Sequence, residues 1–94
     1  MPLKMVRAKI EKIDAQILNL IEQRTALAKD VLEAKRAEGK PINDVEQNKV
    51  VLDRVANLAT ERGLDGEEVK RIFEMLIKMN IERQHELSGE GNLP

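Results

Sequence analysis

The stretch Val6–Lys35, VRAKIEKIDAQILNLIEQRTALAKDVLEAK, decides the fold of this 94-residue chain. Apolar residues recur along it in alternating steps of four and three, at Val6, Ile10, Ile13, Ile17, Leu20, Leu27, Val31 and Ala34. That spacing keeps one side of an α-helix apolar over its whole length. Arg24 fills the gap in the stripe between Leu20 and Leu27. Lys35 follows eleven residues later, and at ~100° per residue that is about three turns plus ~20°, so the two cations share a face. Arg7 opens the adjoining line, which continues through Ile10, Asp14, Ile17, Ile21, Arg24, Ala28, Val31 and Lys35. It keeps to that face only if the helix supercoils at a 3.5-residue period. A charge on a buried stripe is costly unless paired, so these cations call for an anion.

Outward from this stretch the helical signals continue and strand signals are absent. The first helix is expected from about Leu3 to Glu38, with Gly39 capping it in a left-handed conformation and Pro41 preventing its resumption. Asn43 or Asp44 starts a second helix, with Glu46 and Gln47 as capping-box partners. That helix carries Val51, Val55, Leu58 and Ala59 inward and ends at Gly63. Asp65 with Glu68 opens a third helix, with Val69, Ile72, Phe73, Leu76 and Ile77 inward, fading near Leu87. The expected organisation is one helical domain over residues 1–87 and a disordered tail over 88–94.

Composition narrows the function. Lys+Arg and Asp+Glu number 16 and 17, a balance that argues against a nucleic-acid partner. Cysteine is absent, which removes disulfides and thiolate metal sites and suits a reducing cytoplasm. The N-terminal MPLKMVRAKIEK is charged throughout, unlike a secretory leader, and no apolar run approaches the ~18 residues of a membrane span.

A helix of ~35 residues spans about 50 Å, whereas a compact domain of ~100 residues has a radius of gyration near 13 Å. Two helices of about 20 residues cannot cover its apolar face, so a second chain is expected to complete the core. The economical arrangement is a two-fold dimer with the long helices antiparallel. Arg7 and Arg24 lie roughly 25 Å apart along one helix, too far to grip one small molecule. An antiparallel partner would bring its own Arg7 close to the Arg24–Lys35 stretch, giving two shared sites.

The third helix repeats the anomaly. Its stripe runs from Phe73, Leu76 and Ile77 to Asn80 and then Gln84, two amides one turn apart that donate without adding charge. Arg24, Lys35, Asn80 and Gln84 facing one interior would form a positive, donor-rich cavity for a compact dianion with ether or hydroxyl oxygens. Each residue alone also fits a plainer role. Arg24 could snorkel to water, Lys35 could complement a helix dipole, and Asp44 could be only an N-cap. Gln47 could close a capping box, Asn80 could set helix register, and Gln84 could lie at the rim. His85, alone, makes no metal site.

The order Arg7, Asp14, Arg24, Lys35, Pro41, Asp44 and Gln84, with Gly39, Leu64-Asp65 and Phe73 between, resembles the all-helical (AroQ-class) chorismate mutases without gaps from about Val6 to Leu87. The resemblance implies an all-α fold, an intertwined three-helix homodimer in the cytoplasm that converts chorismate to prephenate in phenylalanine and tyrosine biosynthesis, with no cofactor and no metal. It implies that Arg24 and the partner's Arg7 bind the two substrate carboxylates, while Lys35 and Gln84 bind the departing ether oxygen. Asp44 would contact the ring-hydroxyl region, and Asn80 would line the pocket. Gln47 and Asn48 depart from the pattern, standing where the family often has an Arg and a Glu, so a charge pair is replaced by two amides. Such a rearrangement is concerted and asks for conformational restraint and stabilisation of charge developing on the ether oxygen. An isochorismate–pyruvate lyase on the same fold and a non-catalytic helical interaction module are the competing readings.

Overall fold

The computed structural model describes residues 1–89, whose regular structure is entirely helical, with no strand among them. The elements are α1 (Leu3–Ala26), α2 (Ala28–Glu38), α3 (Val45–Glu61) and α4 (Gly66–Ser88). α1 and α2 together are the first helix expected from the sequence, interrupted at Leu27. That residue keeps a right-handed backbone, φ −72° and ψ −7°, and the Val31 N–H reaches its carbonyl at 2.9 Å. The interruption falls where Asn80 Nδ2 of α4 donates to the Arg24 carbonyl at 3.1 Å. A side chain entering the helix ladder is a recognised cause of local deflection. The three-helix architecture therefore stands, with a step in its longest member.

The ends are set by the punctuation in the sequence. Gly39 sits at φ +68°, a left-handed conformation that a side chain would strain. The Lys40 N–H then closes on the Lys35 carbonyl at 2.8 Å, a six-to-one closure that satisfies a terminal helix acceptor. Asp44 caps α3, its Oδ1 accepting from the Gln47 N–H at 3.2 Å. Asp65 caps α4, accepting from the Glu67 and Glu68 N–H groups at 3.0 and 3.2 Å. α4 extends one residue past Leu87, and the Ser88 hydroxyl donates to the His85 carbonyl at 2.8 Å. The remainder of the expected tail, 90–94, lies outside the described residues.

α4 is the central element, packed on α3 along one side and on α2 and the end of α1 along the other. The interior of the single chain is small, with Ala28, Leu32, Val55 and Ala59 its buried apolar residues. α1 buries no residue at all. Ile10, Ile13, Ile17 and Leu20 are 51, 54, 49 and 62% exposed, although their stripe is continuous. Leu58 and Ile72, expected to face inward, are 40 and 59% exposed in the single chain. The rod outruns the hairpin opposite it: the molecule measures 53 × 29 × 22 Å with a radius of gyration of 16.5 Å. Among the described residues, no helix is long and apolar enough to cross a membrane.

α3 and α4 approach closely at Gly66. A Cβ there would sit 2.8 Å from the Ala56 carbonyl oxygen and 2.9 Å from Thr60 Oγ1, and that hydroxyl is already tied to the Ala56 carbonyl at 3.0 Å. Alanine ordinarily favours a helix by about 1 kcal/mol over glycine, but overpacking against backbone typically costs about 1–3 kcal/mol. Gly66→Ala is therefore expected to lower stability by about 1–2 kcal/mol in urea denaturation, and a stabilised variant would contradict the packing described.

Candidate active site

The site assembles where the step in the first rod meets the C-terminal half of α4 and the start of α3. Lys35 projects from the last turn of α2 and is half-buried. Its Nζ donates to Gln84 Oε1 of α4 at 3.1 Å and, through a short bond, to the carbonyl of Ile42 in the α2–α3 connection. Both acceptors are neutral, and an ammonium carries three hydrogens, so one donor and the full charge remain for a ligand. Burial lowers the affinity of Lys35 for its proton, and the Asp44 carboxylate partly restores it.

Arg24 lies one turn from the step. Its Nη1 donates to the Leu76 carbonyl of α4 at 3.0 Å, which fixes the guanidinium while its other N–H groups stay available. Burial, and secondarily the charge of Arg54 on α3, lowers its pKa. Among the described residues Arg24 and Arg54 form no salt bridge, so the positive field at this end is not neutralised from within.

Gln84 is 2% exposed, the only polar side chain so deeply buried among the described residues. Its Nε2 donates to Asn80 Oδ1 at 2.7 Å. No buried side-chain nitrogen or oxygen among the described residues lacks a partner, consistent with the high cost of such groups in a dry interior.

These groups line a cavity of about 260 Å³, near the lower end of small-molecule pockets. Arg24, Lys35, Asp44, Gln47, Asn48, Asn80 and Gln84 all face it. Asp44 thus both caps α3 and lines the pocket. Asn48 Nδ2 donates to Asn43 Oδ1 at 2.9 Å, which leaves the Asn48 carbonyl as the free acceptor at its edge. Apolar walls come from Leu27, Val31, Val51, Ile77 and Ile81. The space has the size and charge to suit a compact anion, with cations on one side and amides beneath.

Arg7 is elsewhere. It lies near the start of α1 beside Leu3, Lys4, Ala8 and Glu11, on the part of the rod that extends beyond the rest of the chain. Sequence reasoning also passed over Ile42, whose contribution is a backbone carbonyl and leaves no mark in residue type. Ile81 was readable, being four residues after the inward Ile77. Arg54 was readable as well, seven residues after Gln47 on the same helical face.

The chain matches the family model for chorismate mutase type II over residues 6–85. It is 45% identical over 75 residues to a chorismate mutase from Methanocaldococcus jannaschii, covering 80% of this chain and 76% of that protein. Bifunctional chorismate mutase/prephenate dehydratases are also similar, from Enterobacter agglomerans at 34% identity and from Escherichia coli at 30%. Each of these alignments covers 92% of this chain but 22% of the longer protein. With a match that runs from Val6 to His85 through every element lining the cavity, the chain belongs to the chorismate mutase type II family.

Proposed function

We propose that this protein is a chorismate mutase, an isomerase that rearranges chorismate to prephenate on the route to phenylalanine and tyrosine. The observation that carries the proposal is the convergence of Arg24, Lys35 and Gln84 on one small cavity. The family match favours the mutase over a lyase or a non-catalytic module. In the reaction the ether C–O bond breaks as a new C–C bond forms, and no proton or electron pair passes to the protein. Catalysis is then a matter of holding the reactive conformer and of stabilising charge on the departing oxygen. The Arg24 guanidinium, clamped by Leu76, grips one carboxylate. The third Lys35 hydrogen and the second Gln84 Nε2 hydrogen meet the ether oxygen. Asp44, Gln47 and Asn48 frame the ring-hydroxyl end, and Asn80 forms part of the wall.

The working form is a cytoplasmic homodimer with antiparallel long helices and shared sites, and it requires no cofactor. The apolar face of α1, without a buried residue of its own, supports this reading, because a second copy would bury it. The same pairing would carry the partner's Arg7 to the second carboxylate, since the cations that the single chain places on the cavity wall are Arg24 and Lys35.

Incubation with chorismate should yield prephenate, and isochorismate should yield no salicylate. Lys35→Ala should lower kcat by about 10²–10³ with the helical content unchanged, as expected when one preorganised donor is lost from a dry site. Salicylate formation, or wild-type kinetics in the variant, would sink the assignment.

The pH profile gives a second check. Lys35 must be protonated to act, and in the free protein burial holds its pKa below the ordinary lysine value of 10.5. Activity is therefore full below that lowered pKa and lost as pH rises through it. A bound dianion favours the ammonium, so the alkaline limb of kcat should lie at higher pH than that of kcat/KM. Coincident limbs at or above the ordinary value would contradict the placement of Lys35.

Arg7→Ala and Arg24→Ala chains should each be inactive alone. Mixed and allowed to exchange subunits, they should recover activity, because half of the sites in a mixed dimer draw both arginines from unaltered positions. Absence of recovery, with exchange demonstrated by mass spectrometry, would rule out sites shared in this way.

A further inference from the structure

We infer that Asn80 is a positioning residue, which sets the orientation of the Gln84 amide by anchoring it to the main chain of Arg24. The inference rests on the mutase reading for its kinetic consequence and on geometry alone for its structural one. Three hydrogen bonds run in one direction across the site. Lys35 Nζ donates to Gln84 Oε1 at 3.1 Å, Gln84 Nε2 donates to Asn80 Oδ1 at 2.7 Å, and Asn80 Nδ2 donates to the Arg24 carbonyl at 3.1 Å.

The ends of this relay determine its direction. An ammonium can only donate, and a backbone carbonyl can only accept. With those termini, each amide between them has one orientation that pairs every group, and the reverse would set oxygen against oxygen or hydrogen against hydrogen. Lys35 alone would hold the oxygen end of Gln84 and leave the nitrogen end to rotate about the contact. Asn80 holds the nitrogen end, through the shortest bond of the three. At 2% exposure Gln84 has little access to solvent that could take over that task.

The anchor is well chosen physically. The Arg24 carbonyl is part of the helix that also carries the Arg24 guanidinium, and that guanidinium donates back to the Leu76 carbonyl on α4 at 3.0 Å. The two helices are therefore cross-tied by a reciprocal pair of side chain to backbone bonds, and the amide relay ends at that tie. The position of the ether-oxygen donor is thereby referred to the backbone that places the carboxylate-binding cation. In this arrangement Asn80 acts on the reaction through Gln84, not by touching the reacting atoms.

The test uses the full chain labelled with nitrogen-15, with the Gln84 side-chain signals identified by their loss in Gln84→Met. In the wild type, without substrate, the Gln84 Nε2 hydrogens should exchange slowly with solvent. In Asn80→Leu they should lose that protection while the backbone spectrum and helical content are retained, and Asn80→Ala, which asks less of the packing, should give the same result. Asn80→Asp keeps an acceptor for Gln84 Nε2 but sets a carboxylate oxygen against the Arg24 carbonyl, so the anchor is lost and the protection should fall here as well. Because a displacement of about 1 Å in a catalytic group can lower the rate on the order of 100-fold, Asn80→Leu should lower kcat by about 10- to 100-fold and leave KM within about threefold. Unchanged Gln84 protection in Asn80→Leu and Asn80→Ala would overturn the inference. So would a rise in KM at constant kcat, the mark of a direct ground-state contact. The exchange measurement needs no substrate, so the relay can fail while the mutase reading holds, and a protein inert toward chorismate would defeat that reading with the relay intact.

Discussion

A lysine ammonium suspended between two uncharged oxygens is the constraint on which the site depends. Lys35 is held by Gln84 Oε1 from α4 and by the Ile42 carbonyl from the α2–α3 connection. Had either partner been a carboxylate at contact distance, the ammonium would have been neutralised before any ligand arrived. Neutral acceptors fix its place and leave its charge to act outward. Asp44, the acidic group of the cavity wall, influences Lys35 through space and is itself engaged by the Gln47 N–H. The result is a polarised interior in which donors are abundant and carboxylate competition is slight, the condition under which an anionic guest gains most from a low local dielectric.

The departures at Gln47 and Asn48 fit this electrostatic design better than they oppose it. Both side chains remain on the cavity wall. Asn48 is turned by the bond it donates to Asn43, which a carboxylate at that position could not make because it has no hydrogen to donate. Removing a positive and a negative group together leaves the net charge of the wall unchanged. Arg54, two turns along α3 from Gln47, adds to the potential around Arg24. The wall thus keeps its sign while changing how that sign is distributed.

Much of this was legible in the residues and some could not have been. The four-three spacing from Val6 to Ala34, the Gly39–Pro41 stop and the Asp44 and Asp65 caps specify the helices nearly to the residue, because each is a local rule about backbone dihedrals or unsatisfied N–H groups. Arg24, Lys35, Asn80 and Gln84 were visible as polar interruptions of apolar stripes. What the sequence could not carry was the step at Leu27, since it coincides with a hydrogen bond from a side chain 53 positions later in the chain to the neighbouring Arg24 carbonyl. The burial of Gln84 was equally hidden, because a rim and a floor position share the same helical phase. Leu58 and Ile72, read as inward, are exposed in the single chain, because an apolar stripe marks a face by its residue types and does not say what packs on it.

The short connection from Gly39 to Asp44 has a consequence for how such a protein can vary. Surface connections usually accept added or deleted residues, since little depends on where their atoms lie. Here the carbonyl of Ile42 is one of the two supports of the Lys35 ammonium on the cavity wall, so the length of the connection is tied to the geometry of the site. One residue more or fewer would leave both flanking helices capped and folded, yet move that oxygen out of reach. Lineages retaining this activity should therefore drift in composition along this segment far more readily than in length.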